Sequence, residues 1–155
     1  EHKRLDLIEI QSLDAHEVVE HKLHEAYKEL RQPVLVEDVS ARLKDLKGLP
    51  GTFVKYFENV LGPDSLFQLA PGSEVEIVCT MGYFDGEKEI IVDGIAKGRT
   101  VAPRGDNGFG FDCCVVQEGQ TKTNAELPPD IKNAISHRRK AAELMVHELH
   151  KANIC

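Results

Sequence analysis

Residues 94–140 read GIAKGRTVAPRGDNGFGFDCCVVQEGQTKTNAELPPDIKNAISHRRK, and this stretch organises the rest of the chain. Its centre, Arg104-Gly105-Asp106-Asn107-Gly108-Phe109-Gly110-Phe111-Asp112, sets glycines around two aromatic rings and a carboxylate. Glycine lets a flat ligand come close to the backbone, so the segment suits a binding loop. Further on, Lys132, Ser136, His137 and Arg138 gather cations, a hydroxyl and an imidazole at a predicted helix start, where unpaired N–H groups already favour an anion. Taken singly, the two phenylalanines fit a core and the basic residues fit a solvated face. Aromatic rings and cations in one stretch point instead to a nucleotide.

Three ordered motifs in this stretch resemble the inosine triphosphate pyrophosphatase family, whose members hydrolyse non-standard purine nucleoside triphosphates. They are Pro103-Arg104-Gly105 with Phe109-Gly110-Phe111-Asp112, then Thr123-Asn124-Ala125-Glu126, then Lys132-Asn133 with Ser136-His137-Arg138. The resemblance implies a two-lobed α/β fold around a central cleft. It also implies that Phe109 and Phe111 flank the purine beside Gly110, and that Asp112, His137 and Arg138 read the base edge. Lys132 would neutralise phosphate charge, and Ser136 would either donate to a phosphate or cap its helix. Phe111 stands where the family often carries Trp, which keeps a stacking face and removes an indole donor.

Working outward, 155 residues suffice for one domain spanning 1–155 with a single core. A formal charge of −7, from 19 basic and 26 acidic residues, opposes nucleic acid or an anionic membrane as partner while leaving room for a small anion held locally. Cys79, Cys113, Cys114 and Cys155 have neither disulfide-framework nor zinc spacing, and neither a hydrophobic leader nor a membrane span is expected from these residues. A reducing cytoplasmic location is therefore expected.

Upstream, Leu5–Ile10 alternates as a short strand would, with Glu9 near its end. Asp14 and Glu17 have capping-box spacing before a helical stripe of Val19, Leu23, Ala26, Tyr27 and Leu30. His16, His21 and His24 fall mostly off that stripe and read as surface residues. Pro33–Asp38 is an apolar run ending in Glu37 and Asp38. A strand delivering two carboxylates to its tip would aim them at a site, and paired carboxylates suit Mg²⁺. The resemblance implies the same: Asp38, with Glu37 and Glu9, holding the metal, and the Glu37-Asp38 pair placing the attacking water. Val39 departs from the family, which usually has Thr or Ser there.

Gly62-Pro63 ends a helix carrying Phe53, Phe57, Val60 and Leu61, and Ser65–Leu69 adds another turn. Val75–Met81 and Glu89–Ala96 flank Asp85-Gly86 as a hairpin. Further strands are expected over 94–101 and 109–116, before a helix that starts at Ser136 with an apolar side of Ala142, Met145, Val146 and Leu149. The fold class is α/β, an elongated mixed sheet with flanking helices.

The family begins with a strand and a Thr/Ser-Gly-Asn-x-x-Lys loop that grips the triphosphate, and nothing of that type precedes Leu5 here. The expectation is low pyrophosphatase activity for this chain and a homodimer that covers an open sheet edge. The alternative is a catalytically weak or inactive nucleotide-binding or structural dimer.

Overall fold

Asp14 starts the first helix, α1 (Ala15–Leu30), by accepting a hydrogen bond from the His16 N–H at 2.9 Å. Glu17 does not close the expected capping box. Its carboxylate accepts from the Ser12 hydroxyl at 2.6 Å, and that hydroxyl oxygen accepts from the Asp14 N–H at 3.0 Å. Val19, Leu23 and Ala26 form the buried stripe of α1 and pack against Val34, Val36 and Phe84. The computed structural model describes residues 3–154, so Cys155 lies outside the described residues.

Five strands follow: β1 (Val34–Leu43), β2 (Pro50–Gly51), β3 (Glu74–Phe84), β4 (Glu89–Thr100) and β5 (Val115–Gln117). They form one sheet in the order β2-β1-β3-β4-β5. The α/β class with flanking helices is as expected, and every ladder among the described strands is antiparallel where a mixed sheet was expected. The β3–β4 hairpin turns at Asp85, whose carboxylate accepts from the N–H groups of Glu87 and Lys88 at 2.9 and 2.8 Å. The expected strand over Leu5–Ile10 is instead irregular. It finds no ladder partner among the described residues. Leu5 and Leu7 pack beside the α1 stripe, while Ile8 is 73% exposed.

The helices sit on opposite faces of the sheet. Gly82 of β3 lets α1 approach closely: a methyl group there would fall 2.5 Å from Val19 and 2.7 Å from Leu23. On the other face, α5 (His137–Lys151) buries Ala141 and Met145 against Cys79 and Met81. Val146, expected on its apolar side, is half exposed. A third cluster at the far end of the sheet joins Leu43, Ile77 and Val115 to Val54 of α2 (Val54–Leu61), Leu66 of α3 (Ser65–Leu69) and Phe111. The cleft opens between this end and the first turn of α5. Among the described residues no helix is long and apolar enough to cross a membrane.

Candidate active site

One wall of the cleft comes from the glycine-rich stretch. Gly105, Gly108 and Gly110 have φ of 86°, 86° and 59°, and a 3₁₀ turn over Gly110–Cys114 takes the place of the strand expected from Phe109. Left-handed backbone at three positions does not propagate a ladder. Asp112 is buried; its Oδ2 accepts from the Phe109 N–H at 2.9 Å and forms an ion pair with Lys132. The two rings diverge. Phe109 is 68% exposed at the mouth, whereas Phe111 is 9% exposed and belongs to the far-end core while lining the cleft wall.

A short helix, α4 (Pro129–Ile135), carries Lys132 and puts its ammonium 4.5 Å from the centre of the Phe109 ring. Ser136 caps α5, accepting from the Arg139 N–H at 3.1 Å and donating to the Asn133 carbonyl at 3.1 Å. His137 follows in a half-buried setting. Burial first, then the charge of Arg138, lowers its pKa to about 4, so its imidazole is neutral at neutral pH. Arg138 lies 5.9 Å from the Phe109 ring centre. Its Nη2 and Nε donate to the two oxygens of Glu37 at 2.7 and 3.0 Å.

The acidic residues come from β1, but not from its tip. β1 continues to Leu43, so Glu37 and Asp38 lie mid-strand, paired with Met81 and Thr80. Adjacent strand residues face opposite sides. Glu37 accordingly meets Arg138 of α5, and Asp38 meets Lys22 of α1 at 2.7 Å. Lys22 also holds Glu9 at 2.8 Å, and Lys55 of α2 pairs with the other Glu9 oxygen. The two acids respond oppositely. Burial outweighs Lys22 and raises the Asp38 pKa. At Glu9 burial also acts upward, but the bonds from Lys22 and Lys55 prevail and hold the carboxyl below its usual range.

Asp38 Oδ2 is buried without a hydrogen-bond partner among the described residues. A buried acceptor left unpaired costs about 1–3 kcal/mol, and a bound ion or water is one way to offset that cost. Asp38 and Glu9 together fit a hard divalent cation, which favours one or two carboxylates and retains positions for water and phosphate. Elsewhere Glu20, His24 and Glu89 also bring ligand atoms within 4.8 Å of one another, all of them exposed.

The structure therefore brings Asp38, Phe109 to Asp112, Lys132, and Ser136 to Arg138 around a cleft of about 560 Å³. A neighbouring polar hollow of about 510 Å³, lined by Glu9, Lys22, Glu37, Lys55 and Tyr56, shares Lys55 with it. Lys22 and Lys55 were not among the residues singled out from sequence. Lys22 had left a signal, since it interrupts the apolar stripe between Val19 and Leu23, where a solvated lysine is misplaced. Lys55 had left none.

The Ham1 family pattern matches residues 2–148, covering both the acidic residues and the cation-bearing helices. The chain belongs to the Ham1 family. The inosine triphosphate pyrophosphatase of Pyricularia oryzae is 42% identical over 146 residues, which span 91% of this chain and 76% of that protein. The Schizosaccharomyces pombe protein of the same name is 40% identical over 142 residues, covering 88% and 75%. Among solved Ham1 structures, the Staphylococcus aureus protein superposes with a TM-score of 0.84 at 26% identity, over 96% of this chain and 82% of that one. The resemblance carried by the three motifs is borne out.

Proposed function

We propose that this Ham1 chain hydrolyses inosine, deoxyinosine and xanthosine triphosphates to the monophosphate and pyrophosphate. The observation that carries the reading is the pairing, in one cleft, of an exposed ring flanked by Lys132 and Arg138 with a carboxylate whose buried Oδ2 is unclaimed. The names of the relatives, inosine triphosphate pyrophosphatase, support the same substrate class.

In this reading the purine stacks on Phe109 with Phe111 as a wall, and Arg138 donates to the keto oxygen at the six position of the base. The amino group of adenine is itself a donor and is opposed there. Sites built on such bonds discriminate by roughly 10⁴. The neutral His137 and the backbone around Gly110 complete the base pocket. Lys132 offsets phosphate charge, most effectively where water is excluded, and Asp112 fixes its position. Lys22 and Lys55 extend that positive field into the polar hollow. Asp38 and Glu9 would hold Mg²⁺, which when bound polarises phosphate oxygens and acidifies water. Asp38 orients the water that attacks the phosphorus joining nucleoside to pyrophosphate. The same reading carries a homodimer in the cytoplasm. Pyrophosphate release from inosine triphosphate, compared with ATP, with and without Mg²⁺, tests it: equal rates on both nucleotides, or none on either, would refute the reading.

A further inference from the structure

Glu37 and Asp38 are consecutive acids on one strand, but their chemistry differs. Both oxygens of Glu37 are taken by Arg138, at 2.7 and 3.0 Å. The Cys79 thiol lies 3.6 Å from Oε2 as a third donor. Asp38 faces the other side of the sheet, joins Glu9 through Lys22, and keeps one oxygen unclaimed. A fork-to-fork arginine–carboxylate pair fixes the plane of the guanidinium as well as its position.

We propose that Glu37 is a positioning residue for base selection, clamping Arg138 beside the Phe109 ring, and is not part of the metal and water centre at Asp38 and Glu9. The inference rests on the reading of the cleft as a purine site and deepens it. With Nε and one hydrogen of Nη2 committed to Glu37, Arg138 presents Nη1 and the remaining Nη2 hydrogen to a ligand. Those donors meet a keto oxygen and oppose an amino group. A guanidinium released from Glu37 would swing over a flexible stem and donate to whatever acceptor it reached. The clamp therefore acts on discrimination between bases and not on phosphoryl chemistry.

A double-mutant cycle of Glu37→Gln and Arg138→Ala, with Glu37→Asp as a charge-preserving control, tests this. Steady-state kcat/KM is measured for inosine triphosphate and ATP, together with the Mg²⁺ concentration giving half-maximal rate. Glu37→Gln should reduce the inosine-to-adenine ratio by about tenfold or more. Adding Arg138→Ala should reduce it no further than that substitution does alone, and Glu37→Asp should recover part of the ratio. A fall in kcat shared equally by both nucleotides, with the Mg²⁺ midpoint displaced, would place Glu37 in the metal centre and overturn the proposal. Additive effects of the two substitutions would overturn it as well. If the unsubstituted chain hydrolyses neither nucleotide, it is the functional reading that has failed. The clamp is then judged by calorimetric affinities for inosine and adenosine monophosphates across the same cycle, where the same loss of preference supports it and an unmoved preference overturns it.

Discussion

Gly94 of β4 lies directly beneath His137, at the first turn of α5: a methyl group on its Cα would fall 2.1 Å from the His137 carbonyl oxygen and 2.2 Å from the Ala141 nitrogen. Both obstacles are backbone, so neither yields by a rotamer change. Gly94→Ala should destabilise the fold by about 3 kcal/mol, at the upper end of overpacking costs. By lifting the helix start that carries His137 and Arg138, it should also weaken nucleotide selection. Urea unfolding and the inosine-to-adenine rate ratio would check both effects. A variant as stable and selective as the parent would contradict the close packing.

His137 makes stability depend on pH in a definite direction. Its folded pKa is lowered to about 4, below the ordinary value of 6.5. The unfolded chain therefore binds the proton more readily, and the stability contributed by the neutral, half-buried ring is lost as pH falls from about 6.5 towards 4. A shift of that size corresponds to about 3 kcal/mol. Asp38 acts with the opposite sign. Its folded pKa is raised, so its cost to stability is present when it is ionised and relieved as pH falls through that value. Unfolding free energies from pH 7 to 4 should show a loss that His137→Gln reduces and that Asp38→Asn accentuates.

Asp38→Asn should lower turnover by at least about a hundredfold, in line with loss of a group that orients the attacking nucleophile. Binding of inosine monophosphate should survive, because the ring of Phe109 and the donors of Arg138 are untouched. Stopped-assay kinetics beside calorimetry separate the two. Full turnover in the variant would remove Asp38 from the reaction.

Lys22→Met removes the ammonium that compensates both Glu9 and Asp38, and should cost about 2 kcal/mol or more, since two partly buried carboxylates lose the cation that bridges them. Mg²⁺ should then raise the melting temperature more in the variant than in the parent, because a bound cation substitutes for the lost charge. Thermal melts at several Mg²⁺ concentrations give the comparison.

Much of this arrangement was legible in the sequence where local chemistry decides the outcome. Asp14 and Ser136 cap their helices as their residue types require, and the β3–β4 hairpin turns at Asp85-Gly86. Reading failed where a partner distant in sequence decides. Leu5–Ile10 has a strand's alternation but no ladder to join, and the segment after Phe109 is held as a 3₁₀ turn by Asp112 bonding back to the Phe109 N–H. Glu37 and Asp38 read as a strand tip because the polar pair interrupts an apolar run; β1 continues past them by pairing with β3 through Leu43. The role of Lys22 depends on Glu9 and Asp38 converging from two other segments, which no periodicity on α1 records.

The opposed directions of Glu37 and Asp38 tie the cleft's chemistry to a counting rule. A strand that slips by a single position against its neighbour exchanges its two faces. If β1 advanced by one residue along β3, the carboxylate that steadies the arginine and the carboxylate that faces Lys22 would trade sides with every backbone hydrogen bond remade. Inserting or deleting one residue in β1 ahead of Glu37 therefore threatens selectivity and turnover together, even in a chain that still folds.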